Sequence, residues 1–413
     1  MNQELSSSTR INNLPPYALS KVASKVHALR MDGRDVIDCS QLNPSLPPPQ
    51  LAIDRLVEAS LMPHNHRYTS SIGIVALREA FASYYASSFR VSLNPATEVV
   101  VTQGAKEACL NVLLSIVSPG DTALITTPSY PVHSAAISIA GGSFVGVPLW
   151  KDYQSYLNQE GVLDGNNEYF FNRLENRYEQ TWPRPKILLT SFPHNPTASI
   201  VTKCFYERLL DFSIRNNVLL INDFAHGDLY FNGKDCCSLL SLESAKDNCI
   251  EFYSLSKGFA LAGWRVGTVV GSAEIIKKVK SLNSFSGFGI FQPIQIAAAK
   301  FLNYSIKNPE LSVAKEHLHI YKDRQTLLIE GLTKLGWDIC TPKASSMLWA
   351  RIPEKHRIIG ADEFCDRILE ECLIAFSPGT GFDLQQKDVV RISLSENEKR
   401  LRELIRRLEL WGN

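Results

Sequence analysis

Ser254-Leu-Ser-Lys257, followed by Gly263-Trp-Arg-Val-Gly267, is the stretch on which the reading of this chain turns. The residues ahead of it, Ile250 to Tyr253, have the composition of a short strand, so the lysine stands just past a strand end. Arg265 follows with a glycine two residues to either side. A desolvated amine near other cations loses its proton readily and can form a Schiff base with a carbonyl. Ser254 and Arg265 then read as phosphate ligands, the arginine offering a planar fork that matches phosphate oxygens. A lysine taken alone is more often a solvated surface charge. The weight of the reading therefore rests on its surroundings.

Outward from this stretch, the same pattern repeats. Val99 to Thr102 is a β-branched run that turns at Gln103-Gly-Ala-Lys-Glu107 into a helix with Ala108, Val112 and Ile116 on one face, stopped by Pro119-Gly120. Thr122 to Thr126 ends at Pro128-Ser-Tyr-Pro131, Lys186 to Ser191 at Phe192-Pro-His-Asn-Pro196, and Val218 to Ile221 at Asn222-Asp223. Thr268 to Val270 is a further strand. Strands alternating with helical segments predict an α/β layer on a mainly parallel sheet. Ligands in such sheets bind at the carboxyl ends of the strands. Gly104, Tyr130, Asn195, Asp223 and Lys257 all fall just past predicted strand ends, so they share one edge. A strand, Gly104 and a helix N-terminus make an anion site, although an ordinary capped βα turn has the same outline.

The 413 residues suffice for one large core and a second, smaller one. A net charge of +1 carries no basic footprint for nucleic acid and no steering toward acidic membranes. Apolar runs such as Val112 to Val117 are too short to span a bilayer, and the first residues lack the apolar centre of a signal peptide. A soluble, cytoplasmic protein is the expectation. Nine cysteines without a CxxC pair read as reduced thiols, Cys236 and Cys237 being adjacent and poorly placed to bond. His64 and His66 have no partner cluster at ligand spacing, so no metal is expected.

Elsewhere the pattern predicts a polar arm over the first dozen residues, an extended stretch at Asn13–Tyr17, a helix over 18–30, a short strand at 35–39, a proline-stiffened loop at 43–49 and a helix over 51–61. The polar loop His64 to Ser71 precedes a helix through 77–85, and 151–184 reads as a short helix with surface loops. Beyond Gly287 to Pro293 come a helix over 294–304, a helix over 314–332, strands near 337–340 and 347–352, and a last helix over 396–411. The expected units are 1–50, an arm and part of a small domain; 51–290, a large domain; and 291–413, a small C-terminal domain.

The run His194-Asn-Pro-Thr197, then Asp223, then Ser254-Leu-Ser-Lys257 and Gly263-Trp-Arg-Val-Gly267, resembles the fold-type I, pyridoxal-phosphate-dependent aminotransferases of class I/II. The nearest likeness is to their bacterial alanine-type and LL-diaminopimelate-type branch, from residue 43 to the C-terminal helix. The resemblance implies a large domain on a mainly parallel, seven-stranded-type sheet with a smaller α+β domain. It implies pyridoxal 5′-phosphate as cofactor, an L-amino acid and a 2-oxo acid as substrates, and a two-step ping-pong transfer. Lys257 would hold the cofactor and then shuttle a proton between substrate Cα and cofactor C4′. Asp223 would pair with the pyridine nitrogen, Asn195 would bond the 3-oxygen and Tyr130 would stack on the ring. Gly104, Ala105 and Lys106 would offer backbone N–H groups to the phosphate, with Ser254 and Arg265 closing the cup. Arg391, in Val389-Val-Arg-Ile-Ser393, would grip the substrate α-carboxylate beside Asn195 and Leu42; without the resemblance it is a surface arginine before a helix. Tyr68 would reach the partner's phosphate across the interface of a homodimer.

The chain departs from the family pattern at several points. His226 stands where a second tyrosine is usual; by the resemblance it would still bind the cofactor by donating to the 3-oxygen, but a histidine also titrates near neutral pH. Leu42 replaces a glycine before Asn43-Pro44, Ala105 lacks a hydroxyl, Ala198-Ser199 replaces Thr-Gly, and Gly381-Phe-Asp383 lacks a second glycine. These departures leave a second outcome open: elimination, decarboxylation or oxidation on the same cofactor. A non-enzymatic sensor on this fold is a third reading. Phe288, Ile290 and Phe291 suggest an apolar element near the pocket, or a packed hinge.

Overall fold

The computed structural model describes residues 8–12, 14, 17–232, 237–309 and 313–412. The start of the polar arm, much of the expected stretch at 13–17 and Cys236 lie outside them. Seven strands form the central sheet: β1 Val99–Thr102, β2 Thr122–Thr127, β3 Ser143–Pro148, β4 Ile187–Ser191, β5 Leu219–Asp223, β6 Cys249–Ser254 and β7 Gly267–Gly271. Their order is β1-β7-β6-β5-β4-β2-β3. All neighbours are parallel except β7, which runs antiparallel to β1 and β6.

The strand composition explains the layering. A parallel sheet covered on both faces needs continuous apolar runs, and β1, β4, β5, β6 and β7 are buried along their whole length. Successive side chains alternate between two apolar clusters. Val99, Val101, Leu188 and Leu220 join the cluster that includes Phe81, Tyr85 and Phe205. Val100, Leu189 and Ile221 join the one with Ala108, Val112 and Ile276. The edge strand β3 was not expected. Gly146 and Pro148 within it read as breakers, and they are tolerated because the strand is half exposed at the sheet margin.

In-register parallel pairing brings the strand ends to one edge. Ser191 of β4 lies opposite Asp223 of β5, and Asp223 opposite Phe252 of β6. The antiparallel β7 begins at that edge, with Gly267 opposite both Ser254 and Thr102. A Cβ on Gly267 would stand 2.7 Å from the Gly104 Cα and 2.8 Å from the Tyr253 carbonyl, so only glycine lets these turns meet.

A second sheet of four antiparallel strands has the order Asp338–Ile339, Met347–Arg351, Val389–Ser393, Ser377–Pro378. Arg391 is an interior-strand residue there, opposite Trp349 and Ser377, rather than a surface residue before a helix. The helices Val313–Lys334, Gly360–Cys372 and Glu398–Gly412 contribute Leu328, Ile368 and Leu404 to the core of this unit. Ile37–Asp38 pairs in parallel with Ile374–Ala375 and ties the N-terminal segment to it. The helix Gln292–Lys307 places Phe301 and Leu302 in the cluster of Phe81 and Tyr85. Residues 151–184 hold two helices, Tyr153–Asn158 and Glu168–Gln180, the second burying Phe170, Phe171 and Leu174. Among the described residues no helix is long and apolar enough to cross a membrane.

Candidate active site

The shared strand edge and the small sheet enclose a cavity of about 540 Å³. Leu42, Ala105, Lys106, Tyr130, Asn195, Asp223, His226, Ser254, Lys257, Arg265 and Arg391 all line it. Tyr17, Ser256 and Gln41 line it too and were not anticipated.

Lys257 follows the end of β6 by one turn, and its Nζ donates to the Leu42 carbonyl. Burial lowers its pKa to about 8, helped by the positive charges of Arg391 and Arg265 and opposed by Asp223. Leu42 thus meets the lysine through its backbone, an interaction that any residue at that position can make.

Asp223 closes β5. Its Oδ1 accepts from the Ala225 N–H at 3.1 Å and its Oδ2 lies 2.9 Å from His133 Nε2. The His133 Nδ1 lies 3.2 Å from the Ser129 hydroxyl. Donation from His133 Nε2 to the carboxylate leaves Nδ1 to accept from Ser129, so the carboxylate is held from behind. His133 has a local sequence signal. Pro131 starts the helix Pro131–Ile139, and a residue one turn after Tyr130 points back over the strand ends.

Burial drives the Tyr130 phenol pKa up, and its hydroxyl lies 3.5 Å from that of Tyr17. The helix Ala105–Ile116 has no side-chain cap at Gly104, so its first N–H groups are left for a ligand. The Gly104 N–H is not among them, because it donates to the Thr102 carbonyl at 2.8 Å. Gly104 instead supplies room: with φ 79° it leaves space in which Arg265 lies, and a Cβ would stand 2.6 Å from Arg265 Nη2. Arg265 donates to the Gln103 carbonyl at 2.9 Å and the Ala262 carbonyl at 3.0 Å. The Ser254 and Ser256 hydroxyls are 2.9 Å apart beside it.

Arg391 is buried, and its Nη2 donates to the Ser40 carbonyl at 2.8 Å. Its Nη1 donates to Asn195 Oδ1 at 3.0 Å, and its Nε has no partner. Burial lowers its pKa to about 10, and the groups that offset this are the Tyr130 and Tyr17 hydroxyls, not a carboxylate. A buried guanidinium left without a counter-charge is costly and is matched to an incoming carboxylate.

His226 corrects one expectation. Burial, with the charge of Lys257, pushes its pKa down to about 3, so the ring is neutral at physiological pH. Its Nδ1 lies 2.9 Å from Ser345 Oγ. Tyr68 lies outside the cavity, 83% exposed and stacked on Phe288 with ring centroids 4.2 Å apart. Phe288, Ile290 and Phe291 do not line the cavity; Ile290 is packed in the core.

Residues 34–408 match the family model described as aminotransferase class I and II. The chain belongs to that family. It is 35% identical to the glutamate-pyruvate aminotransferase AlaC of Escherichia coli, over 96% of this chain and 92% of that one. It is 33% identical to an LL-diaminopimelate aminotransferase of Halothermothrix orenii, over 97% of each. The substrate-bound structure of BacF from Bacillus subtilis superposes with a TM-score of 0.85 at 30% identity, covering 99% of this chain and 98% of that one. This class I and II aminotransferase is therefore a fold-type I, pyridoxal-phosphate-dependent enzyme of the alanine-type and LL-diaminopimelate-type branch, acting on an amino acid and a 2-oxo acid. These likenesses support transamination over elimination, decarboxylation or oxidation. The site fits the cofactor: an uncapped helix end beside Arg265 suits its phosphate, and the cavity-lining Arg391 guanidinium, with no carboxylate offsetting its charge, suits a substrate carboxylate.

Proposed function

We propose that the cavity binds an L-amino acid by its α-carboxylate at Arg391 and delivers its amino group to the cofactor at Lys257. The observation that carries this reading is the pairing in one cavity of an amine with a lowered pKa and a buried guanidinium that lacks a counter-charge. When bound, the cofactor supplies the carbonyl that condenses with amines and the ring that withdraws the electron pair left at Cα. In this proposal Lys257 Nζ, whose pKa of about 8 brings the free amine within reach near neutral pH, would take the Cα proton and return it. Asp223, held by His133 and the Ala225 N–H, would pair with the ring nitrogen and keep it protonated. Asn195 turns Oδ1 to Arg391 and so has Nδ2 left to donate to the 3-oxygen. The N–H groups of Ala105 and Lys106, with Ser254 and Arg265, would hold the phosphate, and Tyr130 would cover the ring face.

Of the substrates in the relatives' names, the glutamate–pyruvate kind fits better than diaminopimelate. Asp223 is the one carboxylate among the described residues lining the cavity, so a second substrate ammonium finds no free counter-charge in that lining. We further propose a cytoplasmic homodimer in which the exposed Tyr68 completes the partner's phosphate site. The large unit in this reading spans 51–290 together with the helix Gln292–Lys307 packed on it, and the stretch from Val22 to Asp38 joins the C-terminal segment.

The experiment is an absorbance scan of the purified holoenzyme against single L-amino acids without an oxo acid. Conversion of the cofactor to its amine form with release of one equivalent of the matching 2-oxo acid supports the proposal. Release of ammonia, carbon dioxide or peroxide in place of the oxo acid would defeat it.

A further inference from the structure

His226 raises a question that a tyrosine at the same place does not. A phenol always has an O–H to donate. A neutral imidazole donates from one nitrogen and accepts at the other, and its surroundings choose which. The ring lines the cavity, and the contact that decides is the one made by Nδ1, 2.9 Å from Ser345 Oγ. Both residues are buried.

Ser345 is not loosely placed. It has a left-handed backbone, φ 73°, and its N–H donates to the Leu229 carbonyl at 2.7 Å. Ala344 bridges Tyr230, and the Phe231 N–H donates to the Lys343 carbonyl at 3.0 Å. The Leu229 N–H in turn donates to the His226 carbonyl at 2.9 Å. The segment 343–345 is thus stitched to 226–231, and the hydroxyl reaches the ring from a backbone with little freedom. Beyond Ser345 the chain enters Met347–Arg351, the strand whose Trp349 lies opposite Arg391.

We infer that Ser345 is a positioning residue: its hydroxyl donates to His226 Nδ1, the ring proton stays on Nε2, and that N–H faces the cavity as the donor to the cofactor's 3-oxygen. The inference rests on the proposed seating of the cofactor in this cavity. The serine–histidine pair then does what a single tyrosine hydroxyl would do, with the orientation set from the small sheet. Asn195 Nδ2 is the second donor to the same oxygen.

The test uses ¹⁵N-histidine-labelled full-length protein, first without cofactor, with the His226 ring signals assigned by their loss in His226→Gln. The wild type is expected to show a protonated Nε2 and an unprotonated Nδ1. Ser345→Ala is expected to mix the two forms. A protonated Nδ1 in the wild type, or an unchanged pattern in Ser345→Ala, would overturn the inference. Folding of each variant is checked by the unchanged signals of the other histidines.

A second readout separates positioning from bulk structure. Ser345→Ala is expected to weaken pyridoxal phosphate binding about tenfold, the size of one lost hydrogen bond. The same change in a His226→Gln background is expected to have no further effect. Equal effects in both backgrounds would mean that Ser345 acts without His226, and the inference fails. Failure of the wild type to bind pyridoxal phosphate would instead sink the proposed function while leaving the nitrogen assignment standing.

Discussion

Arg391 Nη1 donates to Asn195 Oδ1 over 3.0 Å, a bond between an interior strand of the small sheet and the loop that follows β4. It orients the amide and leaves the guanidinium with an unpartnered Nε. Arg391→Lys replaces a planar fork by a point charge that cannot satisfy Asn195, the Ser40 carbonyl and a carboxylate together. We expect kcat/KM for the amino acid to fall by about 10²-fold or more, on the scale of a broken buried charge pair, while the free enzyme keeps its cofactor spectrum. Steady-state kinetics with the best donor checks this, and an unchanged KM would remove Arg391 from carboxylate recognition.

Lys257 links the site to folding stability. Its pKa is about 8 in the folded protein, against an ordinary 10.5. Below pH 8 both folded and unfolded chains hold the proton, and the folded state carries the full desolvation cost. Between pH 8 and 10.5 only the unfolded chain holds it, so wild-type apoprotein gains stability as pH rises; above 10.5 the cost is gone. Lys257→Met should therefore be the more stable apoprotein at pH 7, by an electrostatic margin on the order of 2–3 kcal/mol that closes toward pH 10.5. Urea midpoints at pH 7 and pH 10 measure the margin. A pH-independent margin would show that the amine is not desolvated.

His226 makes the opposite prediction for activity from the one its residue type suggests. With a pKa of about 3, set by burial and Lys257, it contributes no break to the pH–rate profile near 6.5. Its signature lies in acid stability. Between pH 6.5 and 3 the unfolded chain binds a proton there that the folded chain does not, so stability falls as pH drops through that window. His226→Gln should flatten the fall by one proton's slope. A matching slope in variant and wild type would place the ring in solvent.

Gly104→Ala tests the geometry of the anion site. At φ 79° and ψ 174° a side chain is strained, at a cost of about 1–3 kcal/mol, and the new methyl meets Arg265 Nη2. We expect lower stability together with at least ~10-fold weaker pyridoxal phosphate binding, since Arg265 must vacate its place. Isothermal titration of apoprotein separates the two effects. Full-strength binding in a destabilised variant would mean that Arg265 does not hold the phosphate.

Complementation tests the shared site. Tyr68→Ala and Lys257→Ala chains, each impaired alone, are expected to regain about a quarter of wild-type activity when unfolded and refolded together. Half the dimers are then mixed, with one intact site each. No recovery on mixing would argue that Tyr68 serves its own chain or no site at all.

Most of the site was legible because strand ends in a parallel sheet converge, so Tyr130, Asn195, Asp223 and Lys257 could be brought together from strand positions alone. Arg391 was less so. Apart from the resemblance it reads as a surface residue, because the partner strands Met347–Arg351 and Ser377–Pro378 that bury it come from separate stretches of the chain. His133 had a local signal in its helical offset from Tyr130. Ser345 had none, since its role depends on how the segment 343–345 packs against 229–231. The neutral state of His226 was equally hidden, because residue type gives the ordinary pKa and only burial shows the departure. In the fold, β3 was lost to its Gly146 and Pro148, residues that a sheet edge tolerates.

The Leu42 carbonyl that receives Lys257 Nζ belongs to a loop whose preceding strand, Ile37–Asp38, finds its partner only at Ile374–Ala375. The Ser393 N–H also closes onto the Cys39 carbonyl at 2.8 Å. The segment around Leu42 thus takes its partners from residues more than three hundred positions further along the sequence. The lysine turn and the phosphate cup draw on residues between 104 and 265. The carboxylate-gripping wall of the pocket therefore depends on long-range pairing that the cofactor end does not need.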